Sequence, residues 1–250
     1  MTRPASCNDN DNDNDNDNDT MSIRITGISS MATARLLADA VQAWGRRDAI
    51  DVGFESVGGV DAARRVMEGE AFDLVVLAAD AIGKLEAAGR TLAGSAIALA
   101  RSSVAIAVRR GAMRPVVTSE EALRQALRAA RSVGYSTGPS GKALQALFAR
   151  WGIAEELRAR LVQAPPGVAV GELIARGEVE LGFQQLSELM HLDGVDVLGP
   201  MPPGLEIETT FSGAVCAASR QPRAARALLD FIGSPLLDDA RARNGLWRLS

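Results

Sequence analysis

Apolar and polar positions along the chain switch repeatedly between a period near two and a period near 3.6. SIRITGI (22–28) and IDVGFES (50–56) read as short strands, and MATARLLADAVQAW (31–44) places Met31, Leu36, Leu37, Ala40, Val41 and Trp44 on one helical face. VDAARRVMEG (60–69) reads as a helix stopped by Gly69. FDLVVLAA (72–79) is a continuous apolar run, as expected of a strand covered on both faces. SSVAIAVRR (102–110), SVGYST (132–137), VELGFQQ (179–185), VDVLGPMPP (195–203) and TTFSGAVCAAS (209–219) are further strand candidates. Between them lie helical patterns at 119–130, 141–152 and 170–178, then at 222–233, where Pro222 opens the helix, and at 234–247. This β-α-β-α order predicts an α/β protein with mostly parallel sheets and helices on both faces.

Composition narrows the class. The 250 residues are 47% hydrophobic and 23% charged, with only 4% aromatic, so the core must be built from Ala, Val, Leu and Ile. No apolar run reaches the roughly 18 residues a membrane helix needs, so no membrane insertion is expected. Cys7 and Cys216 are the two cysteines and there is one histidine, which argues against a disulfide and against a zinc site. No metal or cofactor is expected.

The segment 1–20 stands apart. Asn and Asp alternate from Asn8 to Asp19 with nothing to bury, and disorder is expected there. The tail holds six Asp and one Arg, so it accounts for the net charge of −4, and residues 21–250 are near +1. Without a clustered basic face, nucleic acid is not an expected partner. The tail has no apolar core of a secretory signal, so the chain as written is expected to be cytoplasmic, and periplasmic if its true N-terminus differs. Met21 leads straight into a strand pattern, which motivates the expectation of a mis-assigned start upstream of it; intact mass would test this.

In open parallel sheets ligands bind beyond the carboxyl ends of the strands. Those ends fall at 27–30, 56–59, 137–141 and 184–187, and three of them are rich in Ser, Thr and Gly and run directly into a helix. Helix N-termini offer free N–H groups and a partial positive charge. One such loop is ordinary capping. Three at equivalent strand ends point to a convergent anion site.

The ordered series ITGISS, FESVGGVDAARRVMEGEAFDLVVLAAD, SSVAIAV, GYSTGPSG and APPGVAVGELIARGEVELGFQQ resembles the periplasmic molybdate-binding proteins of ABC transporters, of the type 2 periplasmic binding protein fold. The resemblance implies two α/β lobes closing on a small anion, with the ligand cleft between them. Lobe one would be 21–99 plus 214–250, lobe two 100–213, and the hinges would fall near 99–103 and 210–214. It also implies the ligand-binding positions. The first loop contributes Ser30 with Ser29 beside it, and the second Ser56, Gly58 and Gly59. Lobe two contributes Thr137, Gly138, Ser140 and Gly141, then Gly167 and Val168. The family's binding tyrosine is replaced by Gln185. Fewer hydroxyls and more glycine leave a roomier pocket, suited to an organic di- or tricarboxylate as well as to an oxyanion. Since neighbours on a strand point to opposite faces, only one of Gln184 and Gln185 is expected to face the cleft, and Gln185 is preferred. The partner implied is a small anionic ligand, with an ABC transporter permease if the protein is exported.

SVGGVDAARRV, GYSTGPSG and GFQQLSEL are also similar to the aconitate isomerases that share this fold. That likeness implies an alternative function, an allylic proton shift in an unsaturated tricarboxylate. Such chemistry needs a base that returns the proton it takes. Candidates are Glu55, Asp61, Tyr135, Lys142 and Glu188, and spacing alone does not choose among them. His191 is expected on the surface or at a cap, and Trp44, Phe148 and Trp151 in the core. Arg64, Arg65, Arg124 and Arg128 read as solvated helix faces.

Overall fold

A computed structural model describes residues 23–45 and 50–249. The Asn/Asp tail, Cys7, Met21 and Ser22 lie outside the described residues.

Strands and helices alternate as the sequence pattern requires. The first half carries β1 (Arg24–Ser30), α1 (Ala34–Gly45), β2 (Asp51–Val57), α2 (Gly59–Glu68), β3 (Leu74–Ala78) and α3 (Ala79–Ala87). A long strand β4 (Ile97–Arg109) leads into the second half, with α4 (Glu120–Ala129), β5 (Val133–Tyr135), α5 (Pro139–Arg150), α6 (Ala154–Leu157), β6 (Leu161–Gln163), α7 (Val170–Arg176), β7 (Leu181–Gln185), α8 (Leu186–Leu189) and β8 (Val195–Pro200). The chain returns through β9 (Glu208–Val215) and ends with α9 (Pro222–Gly233) and α10 (Asp238–Arg243).

The strands form one hydrogen-bonded path, β2-β1-β3-β9-β4-β7-β5-β6, with β8 also paired to β4. The outer strands of each half are parallel, β1 with β2 and β3, and β5 with β6 and β7. The two crossing strands are antiparallel to all their neighbours. β4 changes partner midway. It pairs with β9 from Ile97 to Ser103, then with β7 from Val104.

Period two explains the core. Along β4, Val104, Ile106 and Val108 pack with α4 and α5 through Leu123, Leu127, Leu144 and Phe148, while Ala105 and Ala107 pack on the other face with Val170, Leu173 and Ile174 of α7. β3 does the same in the first half. Leu74 and Val76 face α1 and α9, whereas Val75 and Leu77 face α2 and α3, so all five of its residues are buried. Trp44 and Phe148 are core residues, and Trp151 packs against the core's edge.

Several element bounds differ from the pattern. The segment 27–30 is not a loop: it stays in β1, paired in register with β2 through Ser30 and Val57. β4 begins five residues before Ser102, because its first part serves the other half of the sheet. α3, α6, α8 and β6 carry no pattern strong enough to predict them. α3 follows β3 without a single intervening residue, so an Ala-rich helix is fused to the end of an apolar strand.

Candidate functional site

A cleft of ≈ 310 Å³ opens between the two halves. Each wall follows from local sequence. On the first half, Ser30 ends β1, and its Oγ accepts a 3.4 Å hydrogen bond from the Ala32 amide. Gly58 and Gly59 open α2, leaving its first N–H groups uncovered by side chains. On the second half, Gly138 and Pro139 open α5, and the Ser136 and Ser140 hydroxyls lie 3.1 Å apart. Gly167 and Val168 reach the cleft from the loop before α7.

The walls differ in chemistry. The first half contributes an apolar face, Val60, Ala63 and Met67 of α2 with Ala81 and Leu85 of α3, beside the polar Ser30, Asp80 and Lys84. The second half contributes most of the polar side chains, Thr137 and Ser140 at the α5 entry and Gln184, Gln185 and Glu188 around α8, with Pro139, Ala164 and Pro165 among them. Lys84, Lys142 and Asp80 complete the charged set.

Gln184, Gln185 and Glu188 form the floor. The Gly171 amide donates to Gln184 Oε1 at 2.8 Å, which fixes the amide orientation and turns Nε2 toward Glu188 Oε1, also at 2.8 Å. That is the only hydrogen bond to the Glu188 carboxyl among the described residues. The residue is half-buried, and loss of solvation pushes its pKa up to about 7 against the pull of Gln184. Gln185 Nε2 donates to Thr209 Oγ1 at 2.7 Å, and its buried Oε1 has no hydrogen-bond partner among the described residues.

Nine sequence-predicted positions line this cleft: Ser30, Gly58, Gly59, Thr137, Gly138, Ser140, Gly167, Val168 and Gln185. Three do not. Ser29 and Ser56 sit one layer back on β1 and β2, their hydroxyls 2.8 Å apart. Gly141 lies beneath the loop, where it lets α5 press on the Ser136 carbonyl. Both glutamines line the cleft, contrary to the strand-alternation expectation, because the strand ends at Gln185 and the cleft wraps around its end.

The candidate bases separate. Glu55 pairs with Arg65 at 2.6 Å and Asp61 with Arg64 at 2.5 Å, both away from the cleft. Arg65 holds the Glu55 carboxyl below its usual range. Tyr135 is buried in the core. Lys142 and Glu188 remain in the cleft. His191 is exposed, 2.9 Å from the Arg243 carbonyl through Nε2. Asp80 and Lys84 were not legible, because α3 itself was not; the scarcity of lysine in the chain was the signal that could have drawn attention to Lys84.

Two α/β halves joined by crossing strands around a cleft define a two-lobe solute-binding architecture. Residues 25–246 match the model of the bacterial extracellular solute-binding protein family, and the chain belongs to that family. Over 173 residues it is 40% identical to an aconitate isomerase of a Pseudomonas species, a stretch covering 68% of this chain and 65% of that protein. Among solved structures, the periplasmic molybdate-binding protein of Azotobacter vinelandii matches with a TM-score of 0.77 at 15% identity, over 90% of this chain and 100% of that one. The sulfate-binding protein of Mycobacterium tuberculosis matches at 0.72 and 18% identity, over 90% and 86%. These structures share the type 2 periplasmic binding protein fold with this chain.

Proposed function

We propose that the cleft binds a small organic anion, a di- or tricarboxylate, held at the N-termini of α2 and α5 and by the Ser and Gly loops around them. The observation that carries this reading is the apolar face of α2 and α3 inside a cleft otherwise rich in polar groups. A bare tetrahedral oxyanion has no use for the apolar face of Val60, Ala63 and Met67, whereas a carbon skeleton bearing carboxylates can lie against it and turn its oxygens to the polar side. The two halves would close about β4 and β9, and a receptor of this kind would hand its ligand to a membrane transporter.

Two backbones from opposite halves approach each other beside the cleft. A Cβ on Gly58 would meet the Gly167 amide nitrogen at 3.3 Å, tighter than ordinary contact. Gly58→Val is therefore expected to prop the halves apart. Titration calorimetry should show affinity lowered on the order of tenfold, about 1.4 kcal/mol, with little change in Tm.

Glu188 favours a second reading, in which the bound anion is turned over. An ionised Glu188 would take a proton from the allylic methylene of an unsaturated tricarboxylate. The electron pair would delocalise through the double bond toward the far carbon, and the proton returned there would shift the double bond. No other reactant is consumed. Such a base works best with a pKa near the working pH, as burial gives Glu188. The likeness to an aconitate isomerase supports the turnover reading itself.

Proton NMR of trans-aconitate with the protein in D₂O separates the readings. Appearance of the cis isomer with deuterium on the allylic carbon supports turnover. Line broadening without conversion supports a receptor. An unchanged spectrum, with molybdate or sulfate raising the Tm, would overturn the carboxylate proposal.

A further inference from the structure

Of the 27 basic side chains in this chain, only Lys84 and Lys142 are lysines. Both line the cleft, and they come from opposite halves, Lys84 from α3 and Lys142 from α5. The arginines are largely occupied on the surface, as Arg64 is with Asp61 and Glu68, or Arg176 with Glu172 and Glu178. The two lysines are exposed, and their ammonium groups make no hydrogen bond or ion pair among the described residues. Even Asp80, four residues before Lys84 on the same helix and within the same cleft, forms no ion pair with it.

Helix electrostatics sharpen the contrast. Lys84 stands in the last turn of α3, where a cation complements the negative end of the helix. Lys142 stands in the first turn of α5, where a cation opposes the positive end and costs stability. Nothing within α5 compensates it. A bound anion would neutralise both Lys142 and the free N–H groups beside it. The side-chain type matters too. An ammonium on a flexible stem can follow a carboxylate as two halves close, where a planar guanidinium demands a fixed bidentate geometry.

We propose that Lys84 and Lys142 form a two-ammonium clamp, each taking a separate carboxylate of one ligand, so that the ligand ties the two halves together. The clamp rests on the carboxylate reading above and adds to it the two side chains, one from each half, that take separate carboxylates of the ligand. Asp80 and Glu188 are the acids facing the same space.

The test uses propane-1,2,3-tricarboxylate, which has no double bond to shift, with the full-length protein. Calorimetry should show Lys84→Gln and Lys142→Gln each weakening binding tenfold or more, and the wild-type affinity should fall as salt is raised. The ligand should also slow acetylation of both lysines, read by peptide mass mapping. Thermal unfolding of the variants checks that they are folded. If the wild type binds and either variant binds equally well, or only one lysine is protected, the clamp is overturned while the carboxylate reading stands. If the wild type binds no tricarboxylate, that reading fails and the clamp fails with it.

Discussion

Gly141→Ala is expected to destabilise the protein by about 3 kcal/mol, which for a chain of this size lowers Tm by roughly 6–12 °C. A Cβ at this position would lie 1.8 Å from the Ser136 carbonyl oxygen and 3.2 Å from the Tyr135 ring. The first is backbone and cannot turn aside. The loop from Ser136 to Gly138 would have to move, and with it Thr137 and Gly138, which line the cleft. Ligand affinity should fall together with Tm. Gly138→Ala is the matching control. A Cβ there meets nothing within 4 Å, and its φ of −78° suits any residue. Differential scanning calorimetry should therefore separate two glycines three positions apart. Equal Tm values for the two variants would remove the close approach of α5 to its loop as a determinant of the fold.

Glu188→Gln should produce the largest functional loss. On the turnover reading, removing the base lowers kcat by about 10²- to 10⁴-fold while leaving tricarboxylate binding in place, since glutamine still accepts from Gln184. The wild-type rate should rise with pH through about 7 and then level, because the ionised carboxyl is the working form. Stability should run the other way. The folded-state pKa lies above the ordinary value of 4.5, so the folded protein holds this proton more tightly than the unfolded chain does. Stability contributed by Glu188 is present below pH 4.5 and declines as pH rises toward 7. Glutamine cannot ionise. The variant should accordingly melt higher than wild type at pH 8 and level with it at pH 4. A variant that keeps full turnover would remove Glu188 from the chemistry, and a flat Tm difference across this range would remove its desolvation.

Much of this architecture is legible in the chain. Period-two runs and helical stripes locate most strands and the longer helices, and the glycine- and serine-rich strand ends locate both sides of the cleft. What escaped did so for physical reasons. α3 follows β3 with no turn and is built from alanine-rich sequence, so no change of period marks its start. Asp80 and Lys84 were lost with it. The first five residues of β4 escaped because a strand that serves two halves in succession has no boundary of its own in the sequence. Glu188 was one of five candidate bases until packing removed Glu55, Asp61 and Tyr135 from the cleft. An arginine neutralises each of Glu55 and Asp61, whereas Glu188 meets a single amide in a desolvated floor. These partners all lie within ten residues of their acids, but which of them meet is decided by side-chain direction at the ends of β2, α2 and β7, which periodicity does not report.

The crossing strands also fix an order of assembly. β9 sits between β3 and β4, joining Leu74 to Val215 on one side and Ile97 to Gly213 on the other. A chain emerging from the ribosome makes β1, β2 and β3 early, yet the strand that completes their sheet is among the last segments made. The second half, by contrast, has β5, β6 and β7 in hand well before then. The half that starts first is thus finished last, at the cost of a slow, long-range pairing. Meanwhile β3, with all five residues buried in the finished protein, presents an apolar open edge that any stray strand could join.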